Sequence, residues 1–302
     1  LAEWIIQGEP TMDLADVDIA RYHPFQVNSK YLHERAGESL GAIYHMHWPN
    51  RQHESARPVR KSPLHDRLAA HNACFGETAG WERAMWFAPP GEVPKDVYSH
   101  HWPNWYQHTA EECRAARAGV IVLDQSSFGK TLIQGKDACA FLQHLCPGDV
   151  DVPVGKLIYT PLLNHQGGIE TDITVDRLAE DRYMIVSSAA THSRDLAWIE
   201  KNLDRQQQVA VTDITSAYSV LSVQGPKSRD LLARISDADL ANAAFPFLTS
   251  QEISIGYALG IAKRLTFIGE LGWELHIPSE FAQGAFDALL EAGQEFDLRL
   301  AG

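Results

Sequence analysis

The sequence predicts an α+β fold in which antiparallel sheets carry flanking helices. From about residue 111 onward, short stretches of alternating apolar and polar residues follow one another closely, which is typical of strands with one buried face. Single helical segments separate some of these stretches. They do not alternate regularly with strands, as they would around a doubly wound parallel sheet.

The first part of the chain reads mainly as helices. LAEWIIQ is an amphipathic helix that stops at Gly8-Glu9-Pro10. A second helix is predicted within VNSKYLHERAGESLGAIY, residues 27–44. A linker is indicated by a proline and glycine cluster at Pro89, Pro90, Gly91 and Pro94.

The second part alternates between helices and short strands. Helices are predicted near residues 113–118, 138–146, 191–203, 227–235 and 280–294, and strands near 120–124, 130–134, 156–164, 169–178, 182–189, 209–215 and 217–225. Residues 253–278 are predicted to form a strand pair. KTLIQGKDACAFLQHL and VLSVQGPKSRDLLARI are both strand–Gly–helix units, which indicates an internal repeat.

Composition excludes several function classes. The net charge of −13 argues against a non-specific nucleic-acid binder, which needs a basic face. No apolar run approaches the roughly 18 residues of a membrane span, so we expect no membrane partner. The four cysteines form no C-x-x-C pair, so neither a zinc site nor a disulfide framework is expected, and a reducing compartment is indicated. The chain contains no nucleotide-binding glycine motif.

The hairpin LLNHQGGIETDITV, residues 162–175, holds the main candidate carboxylate. Strand alternation places four polar side chains opposite the apolar ones, namely Glu170, Asp172, Thr174 and Asp176. Taken alone, this pattern favours a solvated strand face, and the glycines favour a turn. The alternative is that the Cβ-free backbone lets a flat ligand approach, with Asp172 directed at it.

Three other segments have a functional and a structural interpretation. Glu270 lies between glycines that a turn explains equally well. The basic segment 51–61 could bind an anion, although ion-paired loops are commoner. The aromatic segment 80–94 could stack on a ligand, but a small core between domains is commoner.

Four stretches, in order, resemble the glycine-cleavage T-protein (aminomethyltransferase) fold: residues 124–145, 159–175, 220–232 and 266–278. Residues 37–89 resemble the middle domain of the dimethylglycine and sarcosine dehydrogenases, and residues 1–24 resemble the end of their FAD domain. The resemblance implies a missing FAD domain whose tail is 1–24, a middle domain over 25–95, and a folate-binding domain over 96–302 that is truncated at its C-terminus.

The resemblance also implies functional residues. In that family a flavin domain oxidises an N-methyl amine, and the C-terminal domain binds tetrahydrofolate and forms 5,10-methylenetetrahydrofolate. The catalytic carboxylate falls on Asp172, while Tyr159 and Glu270 match folate-contacting positions. Gly168 and Thr174 are expected to border the same pocket. FAD would belong to the full-length parent, and a small methylated amine would be the substrate.

Several positions depart from the family's pattern. His165, Gly148-Asp149 and Phe267-Ile268 depart from the family's usual residues, and the chain stops before an arginine motif that helps to hold folate. The alternatives are a stand-alone aminomethyltransferase, a non-catalytic or demethylating folate-binding relative, and a regulatory subunit. The location is expected to be the bacterial cytoplasm or the mitochondrial matrix, and the oligomeric state is not predicted.

Overall fold

The computed structural model describes residues 1–8, 10–12, 14 and 17–302. Glu9, in the predicted stop of the first helix, lies outside the described residues. So do Asp13, Ala15 and Asp16, in the predicted tail segment. None of the helices in the described ranges combines the length and the apolar character that a bilayer crossing requires.

The N-terminal part is built from helices and one hairpin. Its elements are α1 (Ala2–Gln7), two 3₁₀ turns (Ile19–Arg21 and Pro24–Val27), α2 (Ser29–Tyr44), α3 (His65–Ala70), β1 (Ala73–Thr78) and β2 (Trp81–Phe87). The first helix ends at Gly8 with φ 81°, as the sequence predicts. The second helix begins after Asn28, whose side chain accepts from the amides of Lys30 and Tyr31.

Ion pairs connect α2 and the segment 51–61 to the β1–β2 hairpin. Arg35, the buried residue of α2, lies 2.7 Å from Glu77 on β1. Arg57 binds Glu82 through two nitrogens, at 2.8 and 2.5 Å. The basic segment 51–61 is therefore occupied with internal pairing, and β2 buries Trp81 and Trp86, so both segments follow their structural interpretations.

The remaining elements form two large sheets with helices on them. They are α4 (Tyr106–Ala118), β3 (Ile121–Asp124), β4 (Gly129–Gln134), α5 (Ala138–Leu145), β5 (Leu157–Leu163), β6 (Ile169–Ala179), β7 (Arg182–Ser187), α6 (His192–Lys201), β8 (Ala210–Asp213), β9 (Tyr218–Gln224), α7 (Ser228–Leu232), β10 (Thr249–Ile255), β11 (Ala258–Arg264), β12 (Gly272–Pro278), α8 (Ala282–Gly293) and β13 (Arg299–Ala301). Within the described residues, one sheet has the order β5-β6-β7-β4-β8 and the other β10-β11-β12-β9-β3-β13. The predicted α+β architecture is confirmed.

The predicted strand pair at 253–278 is wrong, because three strands pass through this segment. A two-residue turn with Gly256 at φ 58° joins β10 to β11. The loop 265–271 then joins β11 to β12, with Gly269 at φ 83°. The short turn hides the first strand boundary, because both flanking strands are apolar.

The two sheets are built from equivalent halves that exchange a strand. β3 precedes the first half but pairs with β9, whereas β8 precedes the second half but pairs with β4. Matching hydrogen bonds secure both exchanges: the amide of Gln125 donates to Val220 at 2.9 Å, and the amide of Ile214 donates to Lys130 at 2.8 Å. This geometry agrees with the predicted internal repeat.

The same symmetry appears where the sheets meet. The amide of Leu157 donates to the carbonyl of Leu248 at 2.9 Å, and the amide of Ser250 donates to the carbonyl of Gly155 at 2.8 Å. β5 of one sheet and β10 of the other therefore adjoin as a reciprocal pair. Each sheet buries its apolar face under its own helices, so the opposite, polar faces turn toward each other.

Candidate functional site

Tyr159 and Asp172 face each other across the β5–β6 hairpin. The Tyr159 hydroxyl donates to Oδ2 of Asp172 at 2.8 Å. This bond and the carboxylate charge raise the pKa of Tyr159, so the phenol stays a proton donor at neutral pH. Both side chains are exposed, and Thr174, opposite Tyr159 in the ladder, lies on the same face. The structure thus brings three of the predicted site residues together.

The turn before Asp172 is organised by Asn164. Its side-chain oxygen accepts from the amides of Gln166 and Gly168, at 3.0 and 2.8 Å. Gly167 has φ 80° and open space around it, whereas a Cβ on Gly168 would lie 2.8 Å from the side-chain nitrogen Nδ2 of Asn164. A side chain at position 168 would therefore displace the Asn164 side chain that organises the turn.

Strand alternation predicts that Glu170 shares the open face of Asp172, but in the structure it does not. The cross-strand register steps from Leu162–Thr171 to Leu163–Ile169, so Glu170 is the extra residue of a β-bulge. Its carboxylate is paired with Arg194 of α6. The prediction that Glu170 is a free solvent-side acid is wrong, because the bulge turns it toward the helix.

Asp176 is also not a solvent-side acid. It is fully buried, accepts from the Ser250 hydroxyl at 2.6 Å, and lies 3.3 Å from the Lys263 ammonium. The second sheet covers this end of β6, which a strand pattern alone cannot reveal. Asp172 lies four residues away on the same face, about 13 Å along the strand.

A buried polar layer therefore lies between the two sheets, with Asp172 at its exposed side. The second sheet contributes Lys263, Glu274 and His276 to this layer. The first sheet contributes Asp176 and Lys130. Burial raises the pKa of Glu274, and it lowers the pKa of His276 well below its usual value. Neither ring nitrogen of His276 has a hydrogen-bond partner within the described residues.

Lys130 is the second ammonium group of this layer, besides Lys263. Its ammonium donates to the carbonyls of Ser126 and Phe128 at 3.0 and 2.9 Å. Burial lowers the pKa of Lys130 to about 7, against the opposing influence of Asp124. Lys130 therefore titrates near neutral pH.

Glu270 lies apart from the Tyr159–Asp172 pair. Its carboxylate is paired with the exposed Arg117 of α4. Among the described contacts it makes none with Tyr159 or Asp172, so its folate role stays a prediction. Glu274 was missed by sequence reasoning, because its alternation with the apolar Trp273 and Leu275 on β12 is typical of a solvent-facing residue.

The arrangement offers an exposed carboxylate, Asp172, that accepts a hydrogen bond from a phenol, Tyr159. Such a pair can accept a proton from an amine and stabilise a neighbouring positive charge. Glu274, largely buried and without a hydrogen-bond donor among the described residues, fits a ligand that carries several N–H groups. Two open clefts of about 590 and 470 Å³ lie elsewhere, beside Gly135 and Arg229.

The described residues contain no group of three or more histidine, cysteine or carboxylate side chains that could hold a metal ion.

Comparison with protein families divides the chain into two matches. Residues 7–62 match the FAD dependent oxidoreductase central domain, and residues 64–302 match the GCVT N-terminal domain. The chain belongs to the GCVT N-terminal domain family. The predicted resemblance is confirmed, while the domain boundary near residue 95 stays a prediction.

Similar curated proteins match the whole chain. It is 44% identical over 304 residues to 4-methylaminobutanoate oxidase (formaldehyde-forming) of Paenarthrobacter nicotinovorans, covering 100% of this chain and 36% of the relative. It is 34% identical over 341 residues to human mitochondrial sarcosine dehydrogenase, covering 100% and 37%. It is also 34% identical over 311 residues to the mouse mitochondrial pyruvate dehydrogenase phosphatase regulatory subunit, covering 100% and 35%. The chain therefore spans only about a third of these relatives.

A solved structure shows the same fold. The glycine cleavage system aminomethyltransferase T from Bartonella henselae superposes with a TM-score of 0.65 and 25% sequence identity. The match covers 81% of this chain and 60% of that one. It confirms the predicted T-protein-like fold.

Proposed function

We propose that the chain is the one-carbon-transferring part of a flavin-dependent N-methyl amine oxidoreductase, and that it binds tetrahydrofolate between its two sheets. The observation that carries the proposal is the hydrogen-bonded Tyr159–Asp172 pair, which lies on the same face of the β5–β6 hairpin as the buried Asp176. Support also comes from relatives that match the whole chain, including human mitochondrial sarcosine dehydrogenase. FAD would belong to the full-length parent.

Tetrahydrofolate supplies the nucleophilic amine that takes up the one-carbon unit. Asp172 would accept the proton of that amine, and its negative charge would favour the cationic character of the reacting one-carbon group. Tyr159 would keep the carboxylate oriented through its hydrogen bond. Thr174 and Gly168 would border the ligand on the strand and on the turn.

The pterin ring needs an acid that can accept from its N–H groups. Glu270 is the residue that the family resemblance proposes, but the structure pairs it with Arg117. Glu274, whose side chain is only 12% exposed, is the alternative on the inter-sheet face. Comparing Glu270→Gln with Glu274→Gln by calorimetric titration of tetrahydrofolate distinguishes the two assignments, because only the contacting acid should lose affinity.

The transfer step is tested in the intact protein with a methylated amine and tetrahydrofolate. Asp172→Ala should leave amine oxidation running and should release formaldehyde in place of 5,10-methylenetetrahydrofolate. Asp237→Asn is the control, since Asp237 is exposed and no ion pair involving it occurs in the described ranges. Unchanged coupling in Asp172→Ala would exclude the proposed role.

A second candidate is a regulatory subunit that binds a partner protein without catalysis. It is favoured by the 34% identity to the pyruvate dehydrogenase phosphatase regulatory subunit over the whole chain. Calorimetric titration of tetrahydrofolate distinguishes the regulatory candidate from the one-carbon-transferring one. A folded chain without affinity for tetrahydrofolate supports the regulatory candidate.

A further inference from the structure

Asp172 lies two residues beyond the β-bulge at Glu170. A bulge bends its strand and redirects the side chains beside it. Its extra residue has no partner in the ladder, so other contacts must fix its geometry. In this chain they come from α6 and from Asn164 of the turn.

Arg194 of α6 binds both the side chain and the main chain of Glu170. One terminal nitrogen donates to the carboxylate, and the other donates to the main-chain oxygen at 3.0 Å. The side-chain Nδ2 of Asn164 donates to the second carboxylate oxygen at 3.1 Å. Both side chains of the ion pair are only 18% exposed, so water screens the pair less than it screens a surface pair.

The next residue of α6 lies near the next residue of the strand. Asp195 is buried, which raises its pKa, while the Thr191 hydroxyl, which donates to its carboxylate at 2.8 Å, and the nearby Ser187 and Thr171 hydroxyls oppose that effect. Consecutive residues of α6 thus bind Glu170 and lie near Thr171, immediately before Asp172. The 3₁₀ turn Ile19–Arg21 packs against this helix.

We propose that Arg194 is a positioning residue for Asp172. By holding Glu170 in the bulge, it sets the direction in which the Asp172 carboxylate leaves β6. Arg194 acts through Glu170, to which its terminal nitrogens are already committed. The inference rests on the proposed role of Asp172 in one-carbon transfer.

The test compares Arg194→Ala, Arg194→Lys and Arg205→Ala in the intact protein. Arg205 is the matched control, because it is exposed in the loop after α6 and no ion pair involving it occurs in the described part of the chain. Arg194→Ala should slow formation of 5,10-methylenetetrahydrofolate about tenfold to a hundredfold. Amine oxidation and the Kd for tetrahydrofolate should stay within about twofold of the parent. Arg194→Lys should recover part of the rate, since it keeps the positive charge.

Hydrogen exchange of the amides of residues 169–173 gives a readout that needs no folate. It should accelerate in Arg194→Ala and return toward the parent when Arg194→Glu is combined with Glu170→Arg. If Arg194→Ala transfers at the parent's rate while Asp172→Ala slows transfer, the positioning role of Arg194 is overturned and the proposed function stands. If neither variant changes transfer, the proposed function fails. A loss of rate that follows loss of thermal stability, without recovery in Arg194→Lys, also overturns positioning.

Discussion

Asp176 and Lys263 hold equivalent positions in the two halves and form an ion pair with each other, 3.3 Å between oxygen and nitrogen. Each pairs in its own sheet with the third residue of the following strand, Met184 or Glu274. The repeat thus supplies two neighbouring positions at the junction, and the sequence fills them with opposite charges. Neither side chain is exposed to solvent.

Removing one partner of this pair should be strongly destabilising. Lys263→Met leaves a buried carboxylate without its counter-charge and should lower the free energy of unfolding by about 3–5 kcal/mol. Combining it with Asp176→Leu should recover most of that loss, since the double variant leaves no unpaired carboxylate at position 176. Urea unfolding measures both. Lys227→Met is the control, because Lys227 and Asp297 form an exposed pair at 3.9 Å and should contribute less than about 1 kcal/mol.

Tyr159→Phe should separate orientation of Asp172 from stability. The variant removes the 2.8 Å hydrogen bond from an exposed side chain, so the free energy of unfolding should change by less than about 0.5 kcal/mol. Transfer to tetrahydrofolate in the intact protein should fall about tenfold. Tyr257→Phe, at another exposed tyrosine, should leave transfer unchanged. Parent-like transfer in Tyr159→Phe would show that the phenol does not orient the carboxylate.

The attachment of α2 should weaken in acid through Glu38. Partial burial raises the pKa of this carboxyl, but hydrogen bonds from Ser55 and Glu54 outweigh it and bring the pKa to about 2. Because the folded pKa lies below the ordinary value of 4.5, the contribution is present above about pH 4.5 and is lost as pH falls toward about 2.

Thermal melting across that pH range measures this contribution. Glu38→Gln should flatten the acid limb, because its side chain carries no charge to lose. Glu291→Gln, at an exposed position of α8, should keep the parent's profile. Identical acid limbs for the parent and Glu38→Gln would count against the assignment.

Two glycine-to-alanine changes should have opposite signs. Gly225 has φ 126°, and a Cβ there would lie 2.5 Å from the Gly119 carbonyl oxygen, so Gly225→Ala should cost at least about 1–3 kcal/mol. Gly284 lies within α8 with no atom within 4 Å of an added Cβ, so Gly284→Ala should stabilise by up to about 1 kcal/mol. Chemical unfolding of both variants checks the pair, and equal shifts would refute the strain at Gly225.

The sequence predicts the hairpin that carries Asp172 because its signals are local. Alternation and the two glycines define both strands and the turn, and the structure places them at residues 157–163 and 169–179. Sequence reasoning missed the environment of the acids on that strand. Asp176 follows the same alternation as Asp172, yet the second sheet covers only Asp176.

Long-range contacts explain the other differences. Glu170 is redirected by Arg194, 24 positions away, and a bulge leaves no mark in the alternation. Glu274 alternates with apolar residues, which indicates a solvent face unless a second sheet is known to cover it. The position of a carboxylate on a strand was thus predictable, whereas its burial depended on which sheets face each other.

The exchange of β3 and β8 makes the two halves dependent on each other for folding. Each sheet is completed by a strand that the chain supplies before the opposite half, so neither half can form all its ladders alone. The sheets should therefore unfold in a single cooperative transition. Because the exchanged strands pair with partners far along the chain, folding should be slow relative to proteins with local contacts. Cleavage of the loop between α6 and β8 would leave two fragments that remain interlocked under native conditions.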